Sequence, residues 1–385
     1  MSKAIETRWI RGGIVAVVGL LFWILASVQP FDAERQMAEL SNDGVSLVFA
    51  GDTLFGRSFS GNDDPQMIGL FKIFRDADAS FVNLEQVMSS EGNADPDVGT
   101  LVRADPGLLR DIQWAGVDAV SLANNHSMNF GAEGLLGTIR ELEELGIRYA
   151  GGGRNTAEAR SAALVEAGNL KVGLISLYSG TGSTSGSNVE VAGSERPGMF
   201  LLRASQVNLG GTETVAPVAT DLQAMIEAIE TTRQTVDILA ISIHMHWGSN
   251  TFQEEFSGYH PLVARSAIDA GADLFIIHGP HVPRGIEQYK HGFIAYSVGN
   301  LFWNLKDLGI DPEGSPNYVL DEAFQSIVVR AVVRNKRVER LEVVPIYMYR
   351  EGEHQGIPHL AKGPKGREIL DRVQRLSAET RTELR

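Results

Sequence analysis

The chain has 385 residues, 43% of them hydrophobic and 21% charged, with a formal net charge of −14 and no cysteine. This composition supports a large buried core without staples and excludes disulfides, thiolate metal sites, iron–sulfur clusters and thiol nucleophiles. The acidic excess argues against general nucleic-acid binding, which neutralises phosphates with basic residues, and an anionic substrate needs a local cation to overcome it.

In chain order, Lys3, Arg8 and Arg11 precede an uncharged run of 17 residues from Gly12 to Val28. A membrane-spanning helix takes about 17–25 apolar residues, no clean A-x-A cleavage site follows, and the basic flank is expected to stay in the cytoplasm. Residues 1–30 therefore read as an uncleaved signal anchor, with the rest of the chain outside, in the periplasm or at the cell surface. Residues 31–44 read as a polar linker, 45–350 as the folded domain and 351–385 as a charged helix and tail.

Strands and helices then alternate. VSLVFA (45–50) predicts a buried strand, QMIGLFKIFRDA (66–77) a helix, and ASFVNLE (79–85) a short strand. PGLLRDIQWAG (106–116) reads as a helix opened by Pro and closed by Gly, VDAVSLA (117–123) as a strand, and GLLGTIRELEELG (134–146) as an amphipathic helix stopped by Gly146. IRYAGGG predicts a strand, and ALVEAGNLKVGLISL two strands around Gly168-Asn169. SGTGSTSGSN (179–188) and its surroundings, to about Pro217, read as a long loop or lid. A helix (221–234), a strand (236–244), the helix YHPLVARSAIDAG and the strand ADLFIIH (272–278) follow. Two hairpins, around Lys290-His291-Gly292 and Asn335-Lys336, precede a charged surface helix. Early βα units followed by hairpins imply an α/β fold with mixed sheets and helices on their faces.

The chemically capable residues follow predicted strands, where open α/β sheets bind ligands. Asp52 follows the first strand, Asn83-Leu84-Glu85 closes the second, and Asn124-Asn125-His126 follows the third. His244-Met245-His246-Trp247 and His278-Gly279-Pro280-His281 close two later ones. Imidazole with carboxylate and amide oxygen suits Mn, Fe or Zn, as one ion or as a pair about 3.5–4 Å apart bridged by a carboxylate, for which Asp52 is the candidate. Each residue also has a structural reading: Asp52 as a turn residue, Glu85 as an Arg partner, the asparagines as turn formers, each His as a hydrogen-bonder and Trp247 as packing. His244 and His246 share a face, with His244 as support to a ligand; His260 and His291 read as helix-start and hairpin residues.

In order, GDTLFGR, FVNLE, ANNHSMNFG, HMHWG, HGPHVPRGIE and YSVGNLFW resemble the CapA family, linked to poly-γ-glutamate capsule synthesis, over about residues 45 to 305. The resemblance implies kinship with calcineurin-like metallophosphoesterases and a four-layer α/β/β/α sandwich with its site at the sheet edge. It implies Asp52, Glu85, Asn125, His246, His278 and His281 as metal ligands, His126 with Asp52 as catalytic residues, and Arg57 and Arg284 as holders of a substrate carboxylate or phosphate. The phosphatases use Asp-x-His after the first strand; here it is Asp52-Thr53-Leu54, one ligand fewer, and Glu85 stands where Asp is usual. The expected function is a membrane-anchored, extracytoplasmic factor for poly-γ-glutamate or a related envelope polymer, with a metal-dependent hydrolase site. The expected partners are that anionic polymer or a phosphoester, the membrane and other capsule-synthesis membrane proteins. The alternatives are an extracytoplasmic metallophosphoesterase and a non-catalytic polymer-binding module.

Overall fold

The computed structural model describes residues 28–30, 44–180, 192–209, 212–246, 258–311 and 320–378. The predicted anchor up to Ser27, the linker from Phe31 to Asp43, most of the Gly/Ser-rich segment and Trp247 lie outside the described residues. Among the described residues no helix is long and apolar enough to cross a membrane.

Two mixed sheets form the centre. The nine-stranded sheet runs Val28–Pro30, Arg337–Met348, Gln325–Arg334, Val45–Leu54, Ala79–Leu84, Ala119–Ser121, Arg148–Ala150, with Asn300–Trp303 also paired to Val45–Leu54 and Pro358–Leu360 to Arg337–Met348. The six-stranded sheet runs Ile286–Tyr289, Gly292–Ala295, Leu274–His278, Ile238–His246, Leu170–Gly180, Ala163–Ala167. Their central strands are parallel and carry the βα units; the later hairpins supply the antiparallel pairs.

The alternation of side chains along each strand sorts the core into layers. Leu47, Phe49, Phe81, Val172, Ala240, Ile276 and Phe293 meet between the sheets. Val48, Val82 and Val120, on the opposite face, pack against Phe71 and Phe74 of helix Pro65–Asp76, Ile112 of Leu109–Ala115, and Ile139 of Gly131–Leu145. Ile175, Ile241, Ile243 and Phe275 pack against Met225 and Ile229 of Ala219–Arg233 and Val263 and Ala267 of Tyr259–Asp269. The order is helix, sheet, sheet, helix, and each fully buried Val, Leu, Ile or Phe contributes about 1.5–3 kcal/mol. Local signals agree: Asp64 caps the first helix through the amides of Gln66 and Met67, and Asn335 and Lys336, at φ 51° and 59°, make the hairpin turn.

Three expectations differ. Val45–Leu54 runs on past Ala50 through Asp52 because Asn300–Trp303 pairs with its end, a partner contributed from far along the chain. Within the expected loop, Ala204–Leu209 and Thr212–Pro217 form an antiparallel hairpin, whose Ala204 and Val215 rest on the outer core of the second sheet. The helix expected at the surface, Gly363–Ala378, sinks Ile369 and Val373 into the core between the sheets, and its Ser377 hydroxyl accepts the Ile286 amide.

Candidate metal centre

The polar cluster lies between the sheets at the carboxyl ends of their parallel strands, and strand parity delivers most of it. Phe81, Asn83 and Glu85 fall on one face; so do Ala240, Ser242 and His244, and Leu274, Ile276 and His278. In each case the apolar members belong to the core between the sheets, so the polar members continue that core outward. Asp52 is the exception. Leu47 and Phe49 face inward, and strict alternation would turn Asp52 to the helices. A bulge corrects this: Phe49 pairs with Phe81 and Asp52 with Asn83, three positions on one strand against two on the other. The bulge depends on Gly51, where a Cβ would stand 1.8 Å from the Gly299 carbonyl oxygen, while the Asp52 amide donates to that same oxygen at 3.1 Å.

Asp52 is the hub. Its Oδ1 accepts from Asn83 Nδ2 at 2.7 Å and lies 3.3 Å from His244 Nδ1 and 3.4 Å from His278 Nδ1. Its Oδ2 accepts from the Gly279 amide at 2.9 Å and lies 3.0 Å from His281 Nδ1. Glu85 Oε1 is ringed by His244 Nε2 at 3.4 Å, His126 Nε2 at 3.9 Å and His281 Nε2 at 4.0 Å. Two overlapping sets result, Asp52 with His244 and His278, and Asp52 with Glu85 and His281; within each, one ligand atom per residue lies within 4.8 Å of the others.

Neutral groups hold these rings. Ser242 Oγ meets His278 Nε2 at 2.7 Å, leaving Nδ1 towards Asp52 and His244. Asn300 donates from Nδ2 to Ala323 O at 2.9 Å and to His281 O at 3.3 Å, so its Oδ1 accepts from His281 Nδ1 at 2.8 Å. His281 sits at φ 58°, a left-handed conformation that disfavours a side chain, with its ring 4.5 Å from that of Trp303. Asn124 is structural: its Oδ1 accepts the amides of His126 and Ser127 and its Nδ2 donates to Leu84 O, which folds the loop carrying Asn125 and His126.

Burial alone would raise the Asp52 carboxyl, but His244, with His278 and His281, outweighs it and holds the group well below the ordinary carboxylate range. Burial, reinforced by Asp52, pushes Glu85 well up. Burial lowers His126 to about 4 and His244 to about 3, so both rings are neutral and keep a lone pair at pH 7.

The donor set fits a divalent cation on an independent observation. Among the described residues Glu85 Oε2 and Asn125 Oδ1 are buried with no hydrogen-bond partner, and buried acceptors without a donor are costly unless a proton or a cation meets them. The Nδ1 atoms of His244 and His278 lie 3.0 Å apart, at 3.3 and 3.4 Å from Asp52 Oδ1.

Asp52, Glu85, Asn125, His126, His278 and His281 of the sequence candidates thus converge. His246 closes its strand, opposite Gly180, and its side chain lies outside the described part; His244, expected only as support to a ligand, lies at the centre of the cluster. Arg57 pairs with Asp307 at 2.8 Å and donates to Gln355 O at 3.2 Å, and Arg284 is buried, its backbone amide donating to Ser297 O at 3.0 Å. Sequence reasoning passed over Asn83, Asn129, Asn300 and Ser242. Parity with Glu85 and His244 was the available signal for Asn83 and Ser242; Asn300 lay within the motif YSVGNLFW, but its contact with His281 crosses from one sheet to the other and was not legible.

A family described as "Bacterial capsule synthesis protein PGA_cap" matches residues 46–304. A protein of Sinorhizobium fredii, "Uncharacterized protein y4sH", is 27% identical over 87% of this chain and 90% of its own length. The "Capsule biosynthesis protein CapA" of Bacillus anthracis is 22% identical over 76% of this chain and 67% of its own. A "Probable polyglutamine synthesis accessory protein" of Mycobacterium tuberculosis is 29% identical over 60% of this chain and 57% of its own. Because the family match spans more than half of the chain and runs through every strand end that builds the cluster, the chain belongs to the bacterial capsule synthesis protein PGA_cap family.

Proposed function

We propose that the chain is an accessory factor in the synthesis of poly-γ-glutamate or a related capsule polymer, and that its buried cluster is a metal-dependent hydrolase centre. Membership of the family and the names of its relatives support the first part. The second part rests on one observation above all: Asp52 is shared by two His/carboxylate sets while, among the described residues, no donor meets the buried Glu85 Oε2 and Asn125 Oδ1. Asp52, His244 and His278 would hold one cation, and Asp52, Glu85, His281 and the Asn125 oxygen a second. A bound divalent ion supplies Lewis acidity and a water acidic enough to ionise near neutral pH.

The chain's own groups do the rest. Asp52 stays ionised and bridges the two sets. His126, neutral, has its Nε2 3.9 Å from Glu85 Oε1 and 3.1 Å from the Asn125 NH2 group, and would accept a proton from a substrate oxygen that displaced that contact. The anionic polymer would be drawn to this local positive charge against the net −14 of the chain. The uncharged run Gly12–Val28 would tether the domain outside the cytoplasm, near the polymer and other membrane proteins that make it. The layer order, read as metallophosphoesterase-like, together with the shared carboxylate, favours phosphoester cleavage as the second reading.

The experiment is elemental analysis of the purified chain, followed by hydrolysis assays on poly-γ-glutamate and on a generic phosphoester, with Asp52→Asn as control. Bound metal and turnover that both vanish in Asp52→Asn are expected, and the substrate turned over separates the two readings. Absence of stoichiometric metal from the folded wild-type protein, even after incubation with Mn2+ or Zn2+, would falsify the metal centre.

A further inference from the structure

Asn129, four residues beyond Asn125 on the same loop, is fully buried and takes no part in either ligand set. Its hydrogen bonds nevertheless fix what the loop presents to the centre. The Val102 backbone amide donates to Asn129 Oδ1 at 2.9 Å. A backbone N–H can only donate, so this atom is the amide oxygen and the side chain has one orientation. His126 Nδ1 lies 2.9 Å from the same oxygen, so Nδ1 carries the ring's proton. In the neutral ring Nε2 is then the acceptor. Asn125 has a side-chain nitrogen 3.1 Å from Nε2, and only its NH2 group can satisfy that lone pair. The Asn125 oxygen is turned away from the ring, and it is the buried oxygen that has no partner among the described residues. The opposite arrangement would set two acceptors face to face at the Asn129 contact.

We propose that Asn129 is a positioning residue: through the tautomer of His126 it commits Asn125 to offer its carbonyl oxygen, not its NH2 group, to a bound cation. The first two links depend on hydrogen bonds alone, and only the last rests on the metal reading above. Asn129 also donates from Nδ2 to Asn125 O at 3.4 Å, which steadies the loop backbone without affecting the choice of tautomer.

The test uses the full chain, 15N-labelled, with the His126 ring signals identified by their loss in His126→Gln. Long-range proton–nitrogen spectra of the metal-free protein should show the proton on Nδ1. In Asn129→Leu the proton should move wholly or partly to Nε2, and Mn2+ binding followed by calorimetry should weaken roughly tenfold, the usual scale for losing a group that orients a ligand. Asn129→Asp retains the acceptor and should keep the wild-type tautomer and most of the Mn2+ affinity, a rescue that general loss of packing would not give. A wild-type ring protonated on Nε2, or Mn2+ bound equally well by folded Asn129→Leu, would overturn the inference. Should Asn129→Leu not fold, the wild-type tautomer and Asn129→Asp decide. A wild-type chain with the Nδ1 proton that binds no Mn2+ overturns the last link, and with it the metal centre, while leaving the control of tautomer by Asn129 in place.

Discussion

Glu85 and Glu287 are both almost completely buried, at 1% and 4% exposure, and the molecule treats them in opposite ways. Glu287 is saturated: Arg265 donates to it from Nε at 3.0 Å and from a terminal nitrogen at 2.7 Å, and Tyr296 donates its hydroxyl at 2.5 Å. Hydrogen bonding to Glu287 pushes the Arg265 guanidinium upward in pKa, and burial of the Tyr296 hydroxyl, reinforced by Glu287, pushes that group up too. Glu85 faces three imidazole Nε2 atoms, none closer than 3.4 Å, beside an ionised Asp52, and one of its oxygens has no donor among the described residues. A saturated buried carboxylate holds structure together. An under-satisfied one costs stability in the free protein.

The sharpest way to break the contrast is His244→Ala. It removes the ring that touches both Asp52 and Glu85, so metal binding should fall by more than the about 100-fold that loss of a mere supporting group can cost. Calorimetry with Mn2+ and elemental analysis measure it; metal retained at wild-type affinity would place the centre elsewhere. Glu287→Ala should do the reverse, leaving metal content untouched and lowering stability by about 1–3 kcal/mol, because the buried Tyr296 hydroxyl loses its acceptor. Urea unfolding checks this.

Glu85→Gln should weaken metal binding yet stabilise the metal-free fold. Burial and Asp52 raise the Glu85 carboxyl in the folded state, so the native protein keeps that proton where the unfolded chain has released it. Native stability from this group is therefore full below the ordinary carboxylate range and drains away as pH rises through the raised value. The gap in thermal midpoint between Glu85→Gln and wild type should open as pH rises above about 4.5; a gap that is constant or closes would contradict it. The smallest effect is expected from Arg57→Ala. Its pair with Asp307 is about one-third exposed on both sides, so the loss should stay below about 1 kcal/mol. An unchanged KM would separate it from substrate binding, and a large rise in KM would restore it as a substrate-holding residue.

How much of this was legible in the sequence differs by element. The helices Pro65–Asp76, Gly131–Leu145 and Ala219–Arg233 and the turn at Asn335-Lys336 were readable, because apolar spacing, caps and turn residues are local signals. So was the clustering of Asp, Asn, Glu and His after strands. The hairpin within Ala204–Pro217 was hidden by a polar composition that two inward-facing residues, Ala204 and Val215, are enough to anchor. The burial of the last helix was hidden because its charged residues outnumber the few side chains it sinks, Ile369 and Val373 among them.

The sequence by itself determined which chemistry is possible: a cysteine-free, oxygen- and imidazole-rich set of ligands at strand ends, in an order shared with the capsule synthesis family. Only the tertiary structure decided which residues meet. Asp52 faces the centre because a bulge, permitted by Gly51 against the Gly299 carbonyl, reverses its parity. His281 is aimed by Asn300, which belongs to a strand in the other sheet. The physical reason is that strand parity and helix periodicity are local and written in the chain, whereas a bulge and an inter-sheet contact arise only when distant backbones compete for the same space.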